Sequence, residues 1–233
     1  MPVPRCVRTQ GNRIFLSNLT MINQDTLPLA DILREYIRQD FTAQITVSSG
    51  SMIPLLEIGD VLGLEAVEES RLRPGHLITF ETAGSPREIV THRIASTWRD
   101  QEGRLHLLTR GDRMLQFDRP FGAEQIIGTV SWRARNGRLV RLDRGQGARL
   151  NEDLGRISER AWQVISGRPL APYPRTAEAV ALTNEQALSQ RNTRRAPIVR
   201  ALALFSAKAI SAAMLPFAIQ EAFEGTVDNG NIR

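Results

Sequence analysis

The chain has 233 residues, of which 42% are apolar, enough for one good hydrophobic core with room for an appended helical region. Its single cysteine, Cys6, excludes an internal disulfide framework and a cysteine-rich metal site, so a reducing compartment is expected. The formal net charge of +5 is uneven, because residues 131–200 carry 14 arginines against 6 acidic residues. Such a basic stretch suits an anionic surface but is also typical of an ordinary solvated face.

Residues 1–42 are predicted to form a tail and one amphipathic helix. Residues 1–25 contain no long apolar run, so neither a secretory signal nor a membrane span is expected there. Between 26 and 38, apolar residues recur at helical spacing, with Thr26 available as a cap and Pro28 tolerated in the first turn. The residues on this face are Leu29, Ile32, Leu33, Tyr36 and Ile37.

A β domain is predicted over residues 43–144. Gly, Pro, Asp and Asn turn signals separate seven β-rich runs. Asn136 and Gly137 predict a tight hairpin between the last two runs, because both residue types tolerate the positive φ angles that such a turn needs. The runs are 43–48, 60–67, 76–81, 88–98, 104–110, 125–134 and 138–143.

Residues 145–233 are predicted to be helical. Helical spacing covers 148–166 and stops before Gly167, and a second, polar helix is expected over 176–190. The intervening residues 168–175 contain three prolines and predict a linker. The final apolar run, 197–223, is long enough to span a bilayer, but Lys208 lies inside it. A helix packed on the β domain, peripheral membrane binding and a true span all remain open.

Ser51 lies in a turn whose composition suits an exposed nucleophile. Gly50 permits a sharp bend before Ser51 and Pro54 restricts the chain after it, so the hydroxyl can project from the end of a strand. Such a serine needs a base. Arginine cannot deprotonate in a protein, and the one lysine, Lys208, lies more than 150 residues further along. His92 is therefore the leading base.

The imidazole of His92 is expected among apolar residues, because Val90 and Ile94 share its face of a predicted strand. A lone histidine on such a face is more often a core residue than a base, but the serine turn and downstream aspartates favour the base. Two acids are candidates for holding the imidazole tautomer, Asp112 after the run 104–110 and Asp118 six residues later.

Three segments together, SGSMIPLLEIGD (49–60), VTHRI (90–94) and LTRGD (108–112) followed by Asp118, resemble the serine-histidine branch of the signal peptidase I family. This branch occurs in the endoplasmic reticulum, archaea and some bacteria. The resemblance covers roughly residues 44–130. It implies a mainly β catalytic domain, the signal peptidase/LexA-like curled sheet, with a short N-terminal helix and appended C-terminal helices. It also implies endopeptidase activity beside small residues, without a metal or organic cofactor.

By position, the resemblance makes Ser51 the nucleophile and His92 the general base, and it favours Asp118 over Asp112 as the orienting acid. The Ser51 amide is expected to donate to the oxyanion. The hydroxyl of Ser49 is the second oxyanion donor by the same resemblance. Met52 is expected to line the site or to pack beneath it.

The sequence departs from the family pattern at two points. The family usually has KGDN where this chain has Arg110, Gly111, Asp112 and Arg113, and it usually carries a membrane helix just before the nucleophile. The expected function is a serine endopeptidase that binds an extended peptide as an added strand. Two alternatives remain: a self-cleaving LexA-like repressor, which would need a lysine base, and a catalytically inactive peptide-binding relative.

The expected location is cytoplasmic, with peripheral or C-terminal membrane association through the arginine-rich and apolar C-terminal region. An anionic membrane surface is accordingly an expected partner, and no specific nucleic acid is expected. His76 and His106 are expected to be ordinary strand or core residues.

Overall fold

The computed structural model describes residues 13–15, 28–167, 173–190 and 195–222. They form a curled, mainly antiparallel sheet with one helix before it and three after it, which confirms the predicted mainly β class. The strands are β1 Arg13–Phe15, β2 Thr42–Thr46, β3 Val61–Glu65, β4 Leu77–Glu81, β5 Ile89–Arg99, β6 Leu105–Arg110, β7 Phe121–Gly122, β8 Ile126–Arg135, β9 Arg138–Arg141 and β10 Ile219–Ala222. The helices are α1 Leu29–Arg38, α2 Gly145–Ser166, α3 Ala177–Ser189 and α4 Arg195–Ala218. Short 3-10 helices lie at Glu69–Arg71 and Ala123–Gln125.

The strands follow the order β1-β2-β3-β8-β4-β5-β6-β7. Strand β9 lies off this path and pairs with both β8 and β10. Only β1 and β2 pair in parallel among the described strands. Register shifts interrupt the β3–β8, β4–β8 and β5–β6 pairs. Irregularities of this kind bend a strand and increase its twist, and so they account for the curl of the sheet.

The seven predicted β runs correspond to β2–β6, β8 and β9, with ends that agree within two residues. The predicted hairpin is also confirmed, because Asn136 and Gly137 have φ angles of 50° and 71°. Three short strands, β1, β7 and β10, were not predicted. They are two to four residues long, too short for an alternating pattern to stand out.

The helices differ from expectation at their ends. Helix α1 begins at Leu29, so Pro28 precedes the helix rather than lying in its first turn. Helix α2 begins at Gly145 and ends, as predicted, before Gly167, whose φ of 68° gives the left-handed cap. Thr176 accepts a hydrogen bond from the Ala179 amide and caps α3. The predicted cap Thr26, the thiol Cys6 and most of the linker, 168–172, lie outside the described residues.

The final apolar segment is helical only as far as Ala218, and residues 219–222 form β10. Pairing with the free edge of β9 supplies the backbone hydrogen bonds that the last residues would otherwise lack. Helix α4 packs along α2, and buried residues of α1, α2 and α4 belong to the same hydrophobic core. The division of the chain into segments at residues 42 and 144 stays a prediction.

Candidate active site

Ser51 lies in the turn between β2 and β3, at one end of the sheet. The next residue, Met52, is fully buried and its sulfur accepts a hydrogen bond from the Asp112 amide at 3.3 Å. Met52 therefore packs beneath the site and holds the serine turn against the loop that follows β6. The Ser51 side chain stays half-buried, with its hydroxyl turned towards β5.

His92 lies in β5 opposite Ile78 of β4 and is 8% exposed. Its Nε2 atom lies 3.1 Å from the Ser51 hydroxyl oxygen, and its Nδ1 atom lies 2.7 Å from Oδ2 of Asp118. The Phe80 ring packs near the imidazole, with 6.3 Å between ring centroids. The structure thus brings Ser51, His92 and Asp118 into one hydrogen-bonded row.

Asp118 is fixed by Thr109, the residue opposite it at the end of β6. The Thr109 hydroxyl donates to Oδ2 of Asp118 at 2.6 Å, and the Asp118 amide donates to the Thr109 carbonyl at 2.9 Å. An ionised carboxylate can only accept hydrogen bonds. When Asp118 is ionised, Nδ1 of His92 carries the proton and Nε2 is free to accept the proton of the serine hydroxyl.

Asp112 has a different partner from Asp118. It receives two hydrogen bonds from the guanidinium of Arg93, at 2.8 and 2.7 Å, and both side chains are buried. Arg93 also donates to Asn151 of α2 and to the Gly75 carbonyl. Since His92 and Arg93 are neighbours on a strand, their side chains point to opposite faces and engage different aspartates.

Ser49 lies close to Ser51, but the hydrogen bond between their hydroxyl groups is weak. Its hydroxyl oxygen lies 3.4 Å from that of Ser51, at the outer limit of a hydrogen bond, and its side chain is exposed. Among the described residues, none accepts a hydrogen bond from the Ser51 amide. The Ser51 amide and the Ser49 hydroxyl are therefore both available as hydrogen-bond donors beside the Ser51 hydroxyl.

Gly111 is a site residue that sequence reasoning named only as part of a motif. A Cβ atom at this position would lie 3.0 Å from Nε2 of His92, 3.0 Å from the Ser51 carbonyl oxygen and 2.8 Å from Cγ of Met114. The amide of Arg113, two residues after Gly111, donates to the Ser51 carbonyl at 2.9 Å. The loop after β6 thus packs directly against Ser51 and His92, and the absence of a side chain at position 111 leaves room for this contact.

Side chains of helices α2 and α3 make hydrogen bonds to the loop after β6. The Ser158 hydroxyl donates to the Asp112 carbonyl and the Trp162 indole donates to the Leu115 carbonyl, both at 2.8 Å. The Asn184 side chain accepts from the Phe117 amide at 2.7 Å and donates to the Phe117 carbonyl at 2.8 Å. Three helical side chains therefore fix the loop that carries both aspartates.

Arg110, which stands where the KGDN motif has lysine, is buried at the start of this loop. Its guanidinium donates to the Met114 carbonyl at 2.7 Å and to the Ser158 hydroxyl at 3.1 Å, and it lies over the Phe117 ring. Burial lowers the pKa of Arg110, and the negative charge of Asp112 partly offsets that effect.

A groove of about 700 Å³ runs along the row of Ser51 and His92. One wall is the end of β2 and the turn after it, and the other is the start of β5. Within the described part of the chain, β6 pairs with β5 only from Arg93 onwards, whereas β4 pairs with it from Ile89. Residues 89–92 therefore present one unpaired strand edge to the groove. Its walls include Ile45, Val47, Ser49, Met52, Ile89, Val90 and Met114.

A second cavity, of about 210 Å³, lies on the other side of the loop after β6. We call it the helix-side cavity. It is bounded by the turn after Ser51, the loop after β6, and helices α2 and α4. Its lining is Ile53, Pro54, Arg110, Asp112, Arg113, Met114, Leu115, Leu154, Ile157, Ser158, Ala161, Trp162, Ile165, Arg200, Ala201, Ala203, Leu204 and Ala207.

The other two histidines lie away from the row of Ser51 and His92. The His106 ring stacks on Trp98 and hydrogen-bonds Asp100 at 2.9 Å, which with nearby donors holds the pKa of Asp100 well below its usual range. Burial lowers the pKa of His76, helped by the charge of Arg73. Across the described ranges, no group of three or more His, Cys, Asp or Glu residues could hold a metal ion.

The fold and the row of Ser51, His92 and Asp118 agree with a signal-peptidase-like protein. Over 68 residues the chain is 35% identical to the "Signal peptidase complex catalytic subunit SEC11C" of Homo sapiens, Mus musculus and Canis lupus familiaris. The matched stretch is 29% of this chain and only 35% of each relative, so the chain covers about a third of their length. No protein-family model matches the chain. The partial similarity supports a signal-peptidase-like peptidase at the level of the family.

Proposed function

We propose that this protein is a serine endopeptidase in which Ser51 is the nucleophile, His92 the general base and Asp118 the acid that orients the imidazole. One observation supports this most, the continuous row from the Ser51 hydroxyl through both ring nitrogens of His92 to Asp118, at 3.1 and 2.7 Å. The proposed mechanism is that of the serine-histidine branch which the sequence motifs resemble. Asp112 has a structural role in the proposal, because its carboxylate neutralises Arg93.

The reaction proceeds by acyl transfer. Ser51 attacks the peptide carbonyl while Nε2 of His92 takes the hydroxyl proton, and the imidazolium that forms is stabilised by Asp118. The Ser51 amide and the Ser49 hydroxyl stabilise the oxyanion, with about 2.7–4 kcal/mol for a well-placed donor. His92 then gives its proton to the leaving amine, and water hydrolyses the acyl-enzyme by the same steps in reverse.

The substrate is an extended peptide bound in the groove as an added strand. The unpaired edge of residues 89–92 offers backbone groups for pairing, and alternate side chains of the peptide would meet the apolar walls at Ile45 and Val47. A folded loop would not fit this geometry, because strand addition requires consecutive extended residues.

The test is cleavage of a diverse peptide library, with the cut bonds identified by mass spectrometry. Ser51→Ala and His92→Gln should each lower turnover by several orders of magnitude. The double variant should lower turnover little more than either single variant, because the two residues act as a unit. Full activity in Ser51→Ala would refute the proposal. Peptide binding in the groove without cleavage by the unchanged protein would instead support an inactive peptide-binding relative.

Helix α4 gives this peptidase a surface for membranes. Its stretch Ala196–Ala218 has a mean hydropathy of 1.7 and is long and apolar enough to cross a bilayer, yet only 6% of its most apolar window is buried. One side packs along α2, while the opposite side exposes large apolar groups that a soluble surface rarely gathers on one helix. The exposed fractions are Ile198 61%, Leu202 61%, Phe205 73% and Phe217 78%.

We propose that α4 lies in the plane of an anionic bilayer, with the body of the protein on the cytoplasmic side. Helix α4 contains no acidic residue, so its charges are all positive, at Arg195, Arg200 and Lys208. That pattern complements anionic headgroups, whereas a second copy of α4 would bring like charges together. A helix that keeps its contact with α2 along its length cannot also stand across the membrane.

Flotation with vesicles of phosphatidylcholine and phosphatidylglycerol tests this docking. Phe205→Ser with Phe217→Ser should lower the bound fraction at least tenfold, since each buried apolar side chain contributes about 1.5–3 kcal/mol. Leu182→Ser, on the 55% exposed Leu182 of α3, is the matched control and should float like the unchanged protein. Retention after alkaline carbonate extraction would show a span instead, and a concentration-dependent dimer without flotation would show self-association.

A further inference from the structure

Met114 separates the two cavities next to Ser51. It lines the groove and also the helix-side cavity, and its side chain is 41% exposed. The groove lies against residues 45–49 and against Ser51 and Met52, whereas the helix-side cavity lies against Ile53 and Pro54, further along the same turn. A peptide that fills the groove and continues past the nucleophile therefore meets the mouth of the helix-side cavity next.

We infer that the helix-side cavity is a second substrate subsite, which binds the peptide on the side of the scissile bond opposite to the groove and selects an apolar residue followed or preceded by an acidic one. This inference rests on the proposed endopeptidase function. It assigns specificity to α2 and α4, the helices appended to the β fold.

The size and lining of the cavity indicate the apolar part of this preference. Its walls from α2 and α4 are mainly aliphatic, with Leu154, Ile157 and Leu204 among them, and alanines on α4 leave the space open. A cavity of roughly 150 Å³ lined by similar side chains holds a benzene molecule in another protein. The 210 Å³ available here is therefore enough for one large aliphatic or aromatic side chain.

The charges of the cavity indicate the acidic part. Three arginines line it, at positions 110, 113 and 200, and the one carboxylate, Asp112, is already paired with Arg93. The Arg113 side chain is exposed and has no hydrogen-bond or ion-pair partner within the ranges that the structure describes. Its guanidinium lies 3.9 Å from the position of a Cβ atom on Gly50, next to the nucleophile. A carboxylate on the peptide would be a suitable partner for it.

The experiment uses peptides that the unchanged protein cuts, with each side of the scissile bond varied separately between Leu, Ser, Asp and Asn. On one side only, we expect kcat/KM to fall about 10–100-fold when the apolar residue becomes Ser, and about fivefold when Asp becomes Asn. Arg113→Gln should remove the Asp preference, and Ala161→Leu, which fills the cavity, should remove the apolar preference on that same side.

Val47→Phe, which narrows the groove, should change selectivity on the other side only. Arg119→Gln, an exposed arginine of the same loop that does not line the cavity, is the control and should leave every ratio unchanged. Arg113→Gln lies on the surface and keeps the test decisive if Ala161→Leu fails to fold. Unchanged selectivity in Arg113→Gln, or a change on the same side as Val47→Phe, would overturn the subsite while the peptidase stands. Failure of the unchanged protein to cut any peptide would overturn both.

Discussion

Replacing Asp112 or Asp118 by asparagine should show which of the two residues contributes to stability and which to catalysis. In the Arg93–Asp112 pair, the arginine side chain is 9% exposed and the aspartate 4%. Asp112→Asn leaves a buried guanidinium without its counter-charge, and breaking a buried pair in this way costs about 3–5 kcal/mol of unfolding free energy. In proteins of 150–250 residues each kcal/mol lowers Tm by about 2–4 °C, so a fall of roughly 6–20 °C is expected.

Asp118→Asn should have the opposite profile. The Asp118 side chain is 28% exposed and its neighbours are hydrogen-bonding groups rather than a buried cation, so about 1 kcal/mol of stability is at stake. The rate should fall about 10⁴-fold, because an amide can hold His92 in the wrong tautomer and cannot stabilise the imidazolium.

The assay combines thermal unfolding with turnover of one cleaved peptide, measured at a temperature well below every Tm. Asp153→Asn is the matched control, because Asp153 pairs with Arg156 on the exposed face of α2, where such pairs contribute about 0–1 kcal/mol. A stable Asp112→Asn protein with a 10⁴-fold lower rate, together with an active Asp118→Asn protein, would reverse the assignment and refute the reasoning.

Three further changes test other parts of the structure. Gly111→Ala should lower kcat about 100-fold with little loss of stability, because its Cβ atom would push the His92 ring out of line by a fraction of an ångström. Gly63→Ala should destabilise the fold by about 1–3 kcal/mol in urea unfolding, because the new Cβ atom would lie 2.0 Å from the Trp132 ring. Burial lowers the pKa of His76, so the unfolded chain binds that proton first and the unfolding free energy falls as the pH drops below about 6.5. His76→Asn should show a smaller decrease of Tm between pH 7 and pH 5.

The main strands of the sheet were predictable as short β-rich runs separated by turn residues. Strand β5 is such a run, although His92, Arg93 and Ile94 are buried in succession rather than alternately, and the turn at Asn136 and Gly137 follows from the φ angles these two residues accept. The strand β10 was not predictable, because residues 219–222 gain their hydrogen bonds from β9, some 80 residues earlier in the chain. Tertiary pairing of that kind leaves no local pattern in the sequence.

The proximity of Ser51, His92 and Asp118 followed from their motifs, but the sequence did not decide between Asp118 and Asp112. The information was partly present. His92 and Arg93 are adjacent on one strand, so their side chains must point to opposite faces of the sheet. A loop with two aspartates can therefore place one carboxylate beside each of these side chains. Which aspartate reaches which side depends on the path of residues 111–118, and that path is set by contacts from other elements.

Those contacts come from the helices that sequence reasoning treated as an appendage. Ser158 and Trp162 of α2 bond the loop at residues 112 and 115, and Asn184 of α3 bonds both backbone groups of the residue before Asp118. The β fold supplies Ser51 and His92, while the C-terminal helices fix the position of Asp118. The geometry of Ser51, His92 and Asp118 therefore depends on residues 145–190 as well as on the sheet, and a chain cut at residue 144 would lose the side-chain contacts of Ser158, Trp162 and Asn184 with the loop that carries Asp118.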